Sequence, residues 1–215
     1  MELTQEQIQR IEKYLQAKGI KYVDFKYEVL DHIITEIETL LNSGHYDFET
    51  AFTLTTNKWN SQLRKTTSWI FGLAFAAPEI VIQKAIKVFK PFYFYMVLIS
   101  FLIPFLFSFL NFQISEETAA ILAVNLKIIT VLLAAMWLII FVTTSLDQRK
   151  TIYSFIIKTQ FIVVFYIPLI LITDTRDYLK NGLTTTLFLA FTFIFISTVY
   201  FYKKHLTEKT KYATN

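Results

Sequence analysis

The second half of the chain contains four long stretches of apolar residues with almost no charge among them. The first, from Pro91 to Ser115, has no charged residue at all. A helix needs about 20 apolar residues to cross a hydrocarbon core about 30 Å thick, whereas a β-barrel would show shorter segments in which polar and apolar residues alternate. The pattern therefore predicts four transmembrane helices, at about residues 91–112, 119–146, 151–173 and 182–202.

Residues 1–66 repeat their apolar positions at helical spacing and are predicted to form a module of three helices. Thr4 and Gln7 form a capping box before the first helix, and Gly19 stands at its C-terminal cap. The second helix is predicted at residues 21–42, and Asp47 is expected to cap the third. The residues expected to form one core are Ile8, Ile11, Leu15, Tyr22, Phe25, Val29, Leu30, Ile33, Ile34, Ile37, Leu40, Leu41, Phe48, Ala51, Phe52, Leu54 and Trp59.

Residues 67–90 connect this module to the first span. Their apolar run at 69–77 is too short to cross a membrane, so a surface-lying or packed segment is expected there. After it, Pro78 and Glu79 favour a helix start, and Lys84, Lys87 and Lys90 recur at every third position. These lysines indicate either an amphipathic segment on an anionic leaflet or a simple positive-inside anchor, and the anchor is favoured because three lysines already satisfy that rule.

Composition and charge agree with a membrane protein of the all-α class. The chain is 54% hydrophobic and only 18% charged. Nine Lys and Arg, including those of the basic tail at 203–215, lie on the side that would hold both termini, against Arg176 and Lys180 on the other. The positive-inside rule then predicts a multi-pass protein of the inner (cytoplasmic) membrane with both termini in the cytoplasm. No apolar signal-peptide core precedes the module, which is therefore expected to stay cytosolic.

The sequence lacks the usual marks of catalysis and of nucleic-acid binding. It has no Cys, and its four glycines form no phosphate loop, dinucleotide fingerprint or nucleophile elbow. Residues 22–50 hold seven acids against Lys26 alone, a charge that repels phosphate. We therefore expect no catalytic residue, no cofactor and no nucleic-acid partner.

The stretch most suggestive of chemistry is "YEVLDHIITEIE", residues 27–38. Glu28, His32 and Glu36 recur every four residues and would lie on one face of a helix, with Asp31 beside them. These four residues are weak candidates for a metal site, because one His and three carboxylates on one helix need ligands from elsewhere to complete a first shell. Since the opposite face of the helix is used for packing, a surface that docks a partner is the favoured interpretation.

Part of this stretch, together with residues after it, resembles a known family. Tyr27 and Glu28, then His32, Gly44 and the following "FETAF", are similar to HAAS-type domains, small helical modules found beside PadR-like transcriptional regulators in bacteria. The resemblance covers about residues 4–66, with Asp31 where the family pattern has Glu. It implies a cytosolic sensing or docking module attached to a membrane domain, with no catalytic residue to carry over.

Three polar residues fall inside the predicted spans. Asn125 and Lys127 lie in the second span and Lys158 in the third. Ionisable groups in a membrane are candidates for a transport pathway, but a lysine about two turns from an interface can extend its ammonium group to the headgroups. Snorkelling or a structural pair, with Asp174 as the partner within reach of Lys127, is favoured over a substrate or ion pathway.

These observations predict a small, non-enzymatic integral membrane protein that regulates, senses or scaffolds through its cytosolic module. Its expected partners are membrane lipids and either another protein or a second copy of the chain. The alternative is a small transporter or channel subunit that uses Asn125, Lys127 and Lys158. A third possibility is a metal-dependent membrane enzyme built on Glu28, Asp31, His32 and Glu36.

Overall fold

The computed structural model describes residues 2–110, 114–173 and 182–212, and the all-α class is confirmed. A 3₁₀ segment (Gln160–Phe165) separates α6 from α7, and one small antiparallel sheet pairs β1 with β2. The elements are α1 (Gln5–Ala17), α2 (Val23–Asn42), α3 (Phe48–Asn60), β1 (Lys65–Ser68), β2 (Gly72–Pro78), α4 (Glu79–Phe109), α5 (Glu116–Leu146), α6 (Ile152–Thr159), α7 (Tyr166–Ile172) and α8 (Gly182–Lys211).

The chain divides into two compact units. Unit 1 is discontinuous and contains Met1–Lys87, Gln148–Phe155 and His205–Asn215. Unit 2 contains Val88–Asp147 and Ile156–Lys204. Unit 1 therefore includes the three-helix module, the connection that leads into α6, and the C-terminal end of α8.

The helix ends of the module follow their local sequence signals. The Thr4 side chain accepts the Gln7 backbone N–H, while the Gln7 side chain accepts the N–H of Thr4, so the predicted capping box is confirmed. Gly19 adopts φ +84°, the left-handed conformation that ends a helix at low cost. The Asp47 carboxylate accepts the Thr50 N–H at 2.9 Å and caps α3 as predicted.

The core of the module largely follows the predicted helical stripes, with one error on α3. The buried members of the predicted set include Ile11, Leu15, Tyr22, Phe25, Val29, Leu30, Ile33, Ile37 and Ala51. Leu54 was expected in the core but is 46% exposed, while Thr55 and Thr56 are buried. At about 100° per residue, Leu54 lies about 60° from Ala51 and about 100° from Thr55, on the side away from Thr56, so it falls outside the buried stripe. The buried face of α3 is thus partly polar, which a search for apolar residues misjudges.

The connection at residues 65–78 forms a β-hairpin that the sequence pattern did not predict. Lys65 pairs with Pro78 and Ser68 with Gly72, and Gly72 closes the turn at φ +85°. Strand pairing depends on a partner segment rather than on the strand's own residues, so the apolar run alone could not reveal it. From Glu79 the chain continues as one helix, α4, through Pro91 to Phe109.

Four helical segments are long and apolar enough to cross a membrane, so the chain is a membrane protein. They are Glu79–Phe109, Glu116–Leu146, Ile152–Ile172 and Gly182–Lys211. The third tightens to 3₁₀ geometry just before Pro168, because the proline ring clashes with the carbonyl of Val164 and offers no N–H to it. The buried core of unit 2 includes Ala123, Trp137, Val163, Ile170, Phe191 and Ile194.

The burial pattern of the module predicts contrasting effects of two alanine substitutions. Ile33 is fully buried, so Ile33→Ala should lower the free energy of unfolding by about 2–5 kcal/mol. Leu54→Ala, on the exposed side of α3, should change it by less than about 0.5 kcal/mol. Thermal unfolding of the full-length protein in detergent would measure both, and an equal loss for the two variants would contradict the assigned core.

Candidate functional site

The acidic face of α2 carries the four residues that the sequence analysis selected: Glu28, Asp31, His32 and Glu36. Two of them form ion pairs among the described residues and two do not. Glu28 forms an ion pair with Lys84 at 3.1 Å, and Glu36 forms one with Lys58 at 2.6 Å. Asp31 and His32 are exposed and, within the described ranges 2–110, 114–173 and 182–212, have no hydrogen-bond or ion-pair partner. The outer face of α2 therefore keeps one free acid and one free imidazole between two acids that are already paired.

This arrangement gives no support to a metal site on α2. Within the part of the chain that the structure describes, no three His, Asp or Glu side chains come together as a metal would require. Burial raises the pKa of Glu36, but the hydrogen bonds from Lys58 and from Trp59 Nε1, the latter at 3.1 Å, outweigh it and hold the pKa below its ordinary value. Glu36 is thus a structural anion that ties α2 to α3.

The N-terminal end of α2 contains a functional candidate that the sequence analysis missed. Both carboxylate oxygens of Asp24 accept the backbone N–H of Ile152, at 3.0 and 2.9 Å. The N–H of Val23 donates to the carbonyl oxygen of Lys150 at 2.8 Å. Ile152 is the first residue of α6, whose first-turn N–H groups have no partners within the helix. Helix α2 therefore caps α6 through its own first turn.

Thr151 completes the capping of α6 and joins it to α8. Its Oγ1 accepts the Ser154 N–H at 3.2 Å, and Ser154 Oγ accepts the Thr151 N–H at 3.0 Å, which is a reciprocal capping arrangement. Thr151 Oγ1 also lies 2.9 Å from Nδ1 of His205. All three side chains are buried. One buried polar cluster thus connects the start of α6 to the C-terminal part of α8.

Aromatic contacts support the same connection within unit 1. Tyr27 on α2 stacks on Tyr212, with ring centroids 5.3 Å apart and an interplanar angle of 16°. Tyr22 and Phe71 each meet the ring of Phe155 on α6 edge-on, at 5.9 and 5.5 Å. Such pairs contribute about 0.5–1.5 kcal/mol each beyond the area they bury. The module is therefore packed against the segments that lead into α6 and out of α8.

Asp24 is the acid in unit 1 whose protonation is most altered by its surroundings. Burial raises the pKa of Asp24 to about 6, although the N–H of Ile152 opposes that rise. Glu208 raises this pKa further, whereas Lys84 lowers it. The carboxylate that caps α6 therefore changes its charge close to neutral pH.

The lysines expected at the membrane surface differ in their surroundings. Lys84 is partly buried, pairs with Glu28 and lies 5.6 Å from the centroid of the Phe25 ring. Lys87 and Lys90 are exposed on α4. Lys84 therefore acts within unit 1, and Lys87 and Lys90 remain the residues to which the surface interpretation applies.

The polar residues predicted inside the spans make contacts within unit 2. Asn125 donates to the carbonyl oxygen of Ile121, one turn earlier, at 2.8 Å. Lys127 donates to the carbonyl oxygen of Thr173, and Lys158 is partly buried. Asp174, the partner expected for Lys127, lies outside the described residues. The bond to Thr173 gives Lys127 a structural contact, in line with the favoured interpretation.

A buried polar cluster in the spans was not predicted. The Gln160 side chain, 5% exposed, accepts a hydrogen bond from Thr198 Oγ1, and its Nε2 lies 3.4 Å from Ser197 Oγ. Ser197 and Thr198 are also buried, on α8. A glutamine inside the third apolar stretch was a visible signal, because an amide in hydrocarbon requires a partner. For Asp24 no comparable signal existed, since Ile152 follows it by 128 residues.

In comparisons with known proteins, no family model, no curated protein and no solved structure matches this chain. The similarity to HAAS-type domains therefore stays a prediction from the residues quoted above.

The raised pKa of Asp24 predicts a specific dependence of stability on pH. Because the folded-state pKa of about 6 exceeds the ordinary value of 3.8, the folded chain binds a proton more readily than the unfolded chain. The stability of the wild type relative to Asp24→Asn should therefore fall as the pH rises from about 4 to about 6, and then level off. Thermal unfolding midpoints of the full-length proteins across this range would measure it.

The matched control is Glu6→Gln, which removes an exposed carboxylate from α1. If the Asp24→Asn protein showed the same change of midpoint with pH as the wild type, Asp24 would not be the group that titrates in this window.

Proposed function

We propose that this chain is a regulatory protein of the inner membrane, without enzymatic activity, whose three-helix module and both termini lie in the cytoplasm. The module docks a protein partner or a second copy of the chain through the exposed face of α2. Docking then acts on the segments that lead into the third span and out of the fourth. Nine basic residues on the side of the termini support this orientation.

The observation that carries this proposal is the double use of helix α2. Its exposed face presents Asp31 and His32, and its first turn caps α6 through Asp24. Asp31 lies seven positions after Asp24 on the helix, which is about 10 Å along the helix axis. A helix of this length moves as a rigid body, so a partner that shifts or clamps the exposed face also acts on the cap of α6.

The charge of α2 and the family resemblance support docking as the role of the module. Seven acids in residues 22–50 give this part of the chain a negative field, which suits a partner with a basic surface. The similarity of residues 4–66 to HAAS-type modules, which occur beside bacterial regulators, agrees with such a role.

Docking through α2 predicts that the double variant Asp31→Lys, His32→Glu loses its partner. Reversing the charge pattern at two exposed positions should weaken association at least tenfold. The thermal unfolding midpoint should stay unchanged, because neither side chain has a hydrogen-bond or ion-pair partner among the described residues of unit 1. Affinity purification of the full-length protein from detergent, together with its mass in solution, would detect a bound partner or a dimer.

The matched control for this variant is Glu6→Lys, which reverses one exposed charge on α1 and should leave association intact. If the wild-type protein purified without a partner and as a monomer, the docking proposal would lose its support.

A second candidate function is transport, and the buried Gln160 cluster is the observation that favours it. An amide and two hydroxyls inside an apolar pair of spans provide both hydrogen-bond donors and acceptors along a possible path. Their mutual hydrogen bonds equally serve to hold the third span to the fourth. The two roles differ in whether ion movement depends on Gln160.

Gln160→Leu separates these roles. If the cluster only joins two helices, the variant should lose about 0.6–1.7 kcal/mol of stability and leave the ion permeability of reconstituted vesicles as it was. If the cluster conducts, proton or potassium flux measured with a trapped fluorescent indicator should disappear in a variant that remains folded. Thr192→Val is the matched control, because it removes a hydroxyl that donates to the Phe188 carbonyl oxygen of its own helix, α8.

A further inference from the structure

The tip of the β-hairpin exposes large apolar side chains. Trp69 is 75% exposed and Leu73 79%, and among the described residues of unit 1 no other large apolar side chain is exposed to a similar extent. Ordinary surface residues of a folded module include scattered leucines. A tryptophan and a leucine exposed together on one turn are a stronger indication that something covers them.

The hairpin tip is closed by hydrogen bonds to Ser68. Phe71 donates its N–H to the carbonyl oxygen of Ser68 at 3.2 Å, and the Ile70 N–H lies 3.3 Å from Ser68 Oγ. Gly72 supplies the positive φ that the turn requires. The backbone of the turn is therefore already ordered, so burying Trp69 and Leu73 costs mainly the rotamer freedom of these two side chains.

Phe71 joins the hairpin tip to the first turn of α6. Its side chain is 2% exposed and packs edge-on against Phe155, with ring centroids 5.5 Å apart. Phe155 lies in the first turns of the apolar segment Ile152–Ile172. Trp69 and Leu73 flank Phe71 in sequence, so they lie near the start of this apolar segment.

The charges around the tip suit an anionic lipid surface. Residues 65–78 contain one charged residue, Lys65, and no acid. Arg149, three residues before the start of α6, is exposed. Arg64, at the base of the hairpin, is paired with Glu79 at 4.0 Å. Basic residues next to a lipid surface each contribute roughly 1 kcal/mol of attraction to anionic headgroups. Nothing in the hairpin repels phosphate.

From this we infer that the hairpin tip, residues 69–73, is an interfacial anchor that inserts Trp69 and Leu73 between the headgroups and the acyl chains of the leaflet in which the third span begins. Tryptophan favours this depth because its ring is largely apolar and its N–H still reaches water or a headgroup. The anchor holds unit 1 against the bilayer. It stands apart from the regulatory proposal, since it requires only that the spans cross a membrane.

The three tryptophans of the chain, Trp59, Trp69 and Trp137, allow a direct test. The double variant Trp59→Phe, Trp137→Phe leaves Trp69 as the only tryptophan of the full-length protein. It is reconstituted into vesicles of phosphatidylcholine and phosphatidylglycerol whose acyl chains carry bromine either near the headgroups or near the bilayer centre. We expect blue-shifted emission from Trp69, stronger quenching by the shallow bromine than by the deep one, and weak quenching by aqueous iodide.

The three tryptophans also provide two controls. The protein that retains only Trp137, which is buried in the core of unit 2, should show little quenching by iodide. If the double variant does not fold, Trp69→Phe in the wild-type background gives the same information, because it should remove the shallow part of the quenching and leave the rest.

Two results would overturn the inference. Strong quenching of Trp69 by iodide without an effect of brominated lipid would show that the tip is in water. Protection from both quenchers, lost on dilution of the protein in lipid, would show that a second copy of the chain covers the tip instead of phospholipid.

Discussion

Hydrogen bonding of the backbone in hydrocarbon is the constraint on which this structure depends. Peptide groups that leave water must be satisfied within the chain, so the apolar segments are helical. The constraint is hardest to meet at helix ends, where the first N–H groups have no partner. At the start of α6, Asp24 and Thr151 supply the missing acceptors. The first turn of the third span is thus completed by a residue from the N-terminal module.

The cap that Asp24 provides joins separate segments of unit 1, and it places a carboxylate whose pKa is altered at the start of α6. A carboxylate near a helix N-terminus is favoured by the helix dipole, while burial disfavours its charge and brings the pKa of Asp24 to about 6. Glu208 and Lys84 act on it in opposite directions. Tyr27, which stacks on Tyr212, holds the same helix against the end of the chain. Helix α2 therefore contacts two segments that continue into the spans.

The polar residues in the spans obey the same constraint. Asn125 bonds to a carbonyl of its own helix, Lys127 to the carbonyl of Thr173, and Gln160 to Thr198 on α8. Within the described residues, each of these contacts satisfies a group that hydrocarbon would leave without a partner. The apolar hairpin tip around Trp69 presents the opposite case, because it leaves apolar rather than polar groups exposed, which is why we infer that lipid covers it.

The sequence by itself determined the features whose causes are local. Four charge-poor stretches predicted the spans, and caps such as Thr4 and Asp47 are confirmed because a cap involves residues within one helical turn. Only the tertiary structure decided that Asp24 caps α6, that Leu54 lies outside the core and that residues 65–78 pair as strands. These outcomes depend on which surfaces meet after the chain has folded. A carboxylate and an N–H separated by 128 residues leave no mark on each other's local sequence.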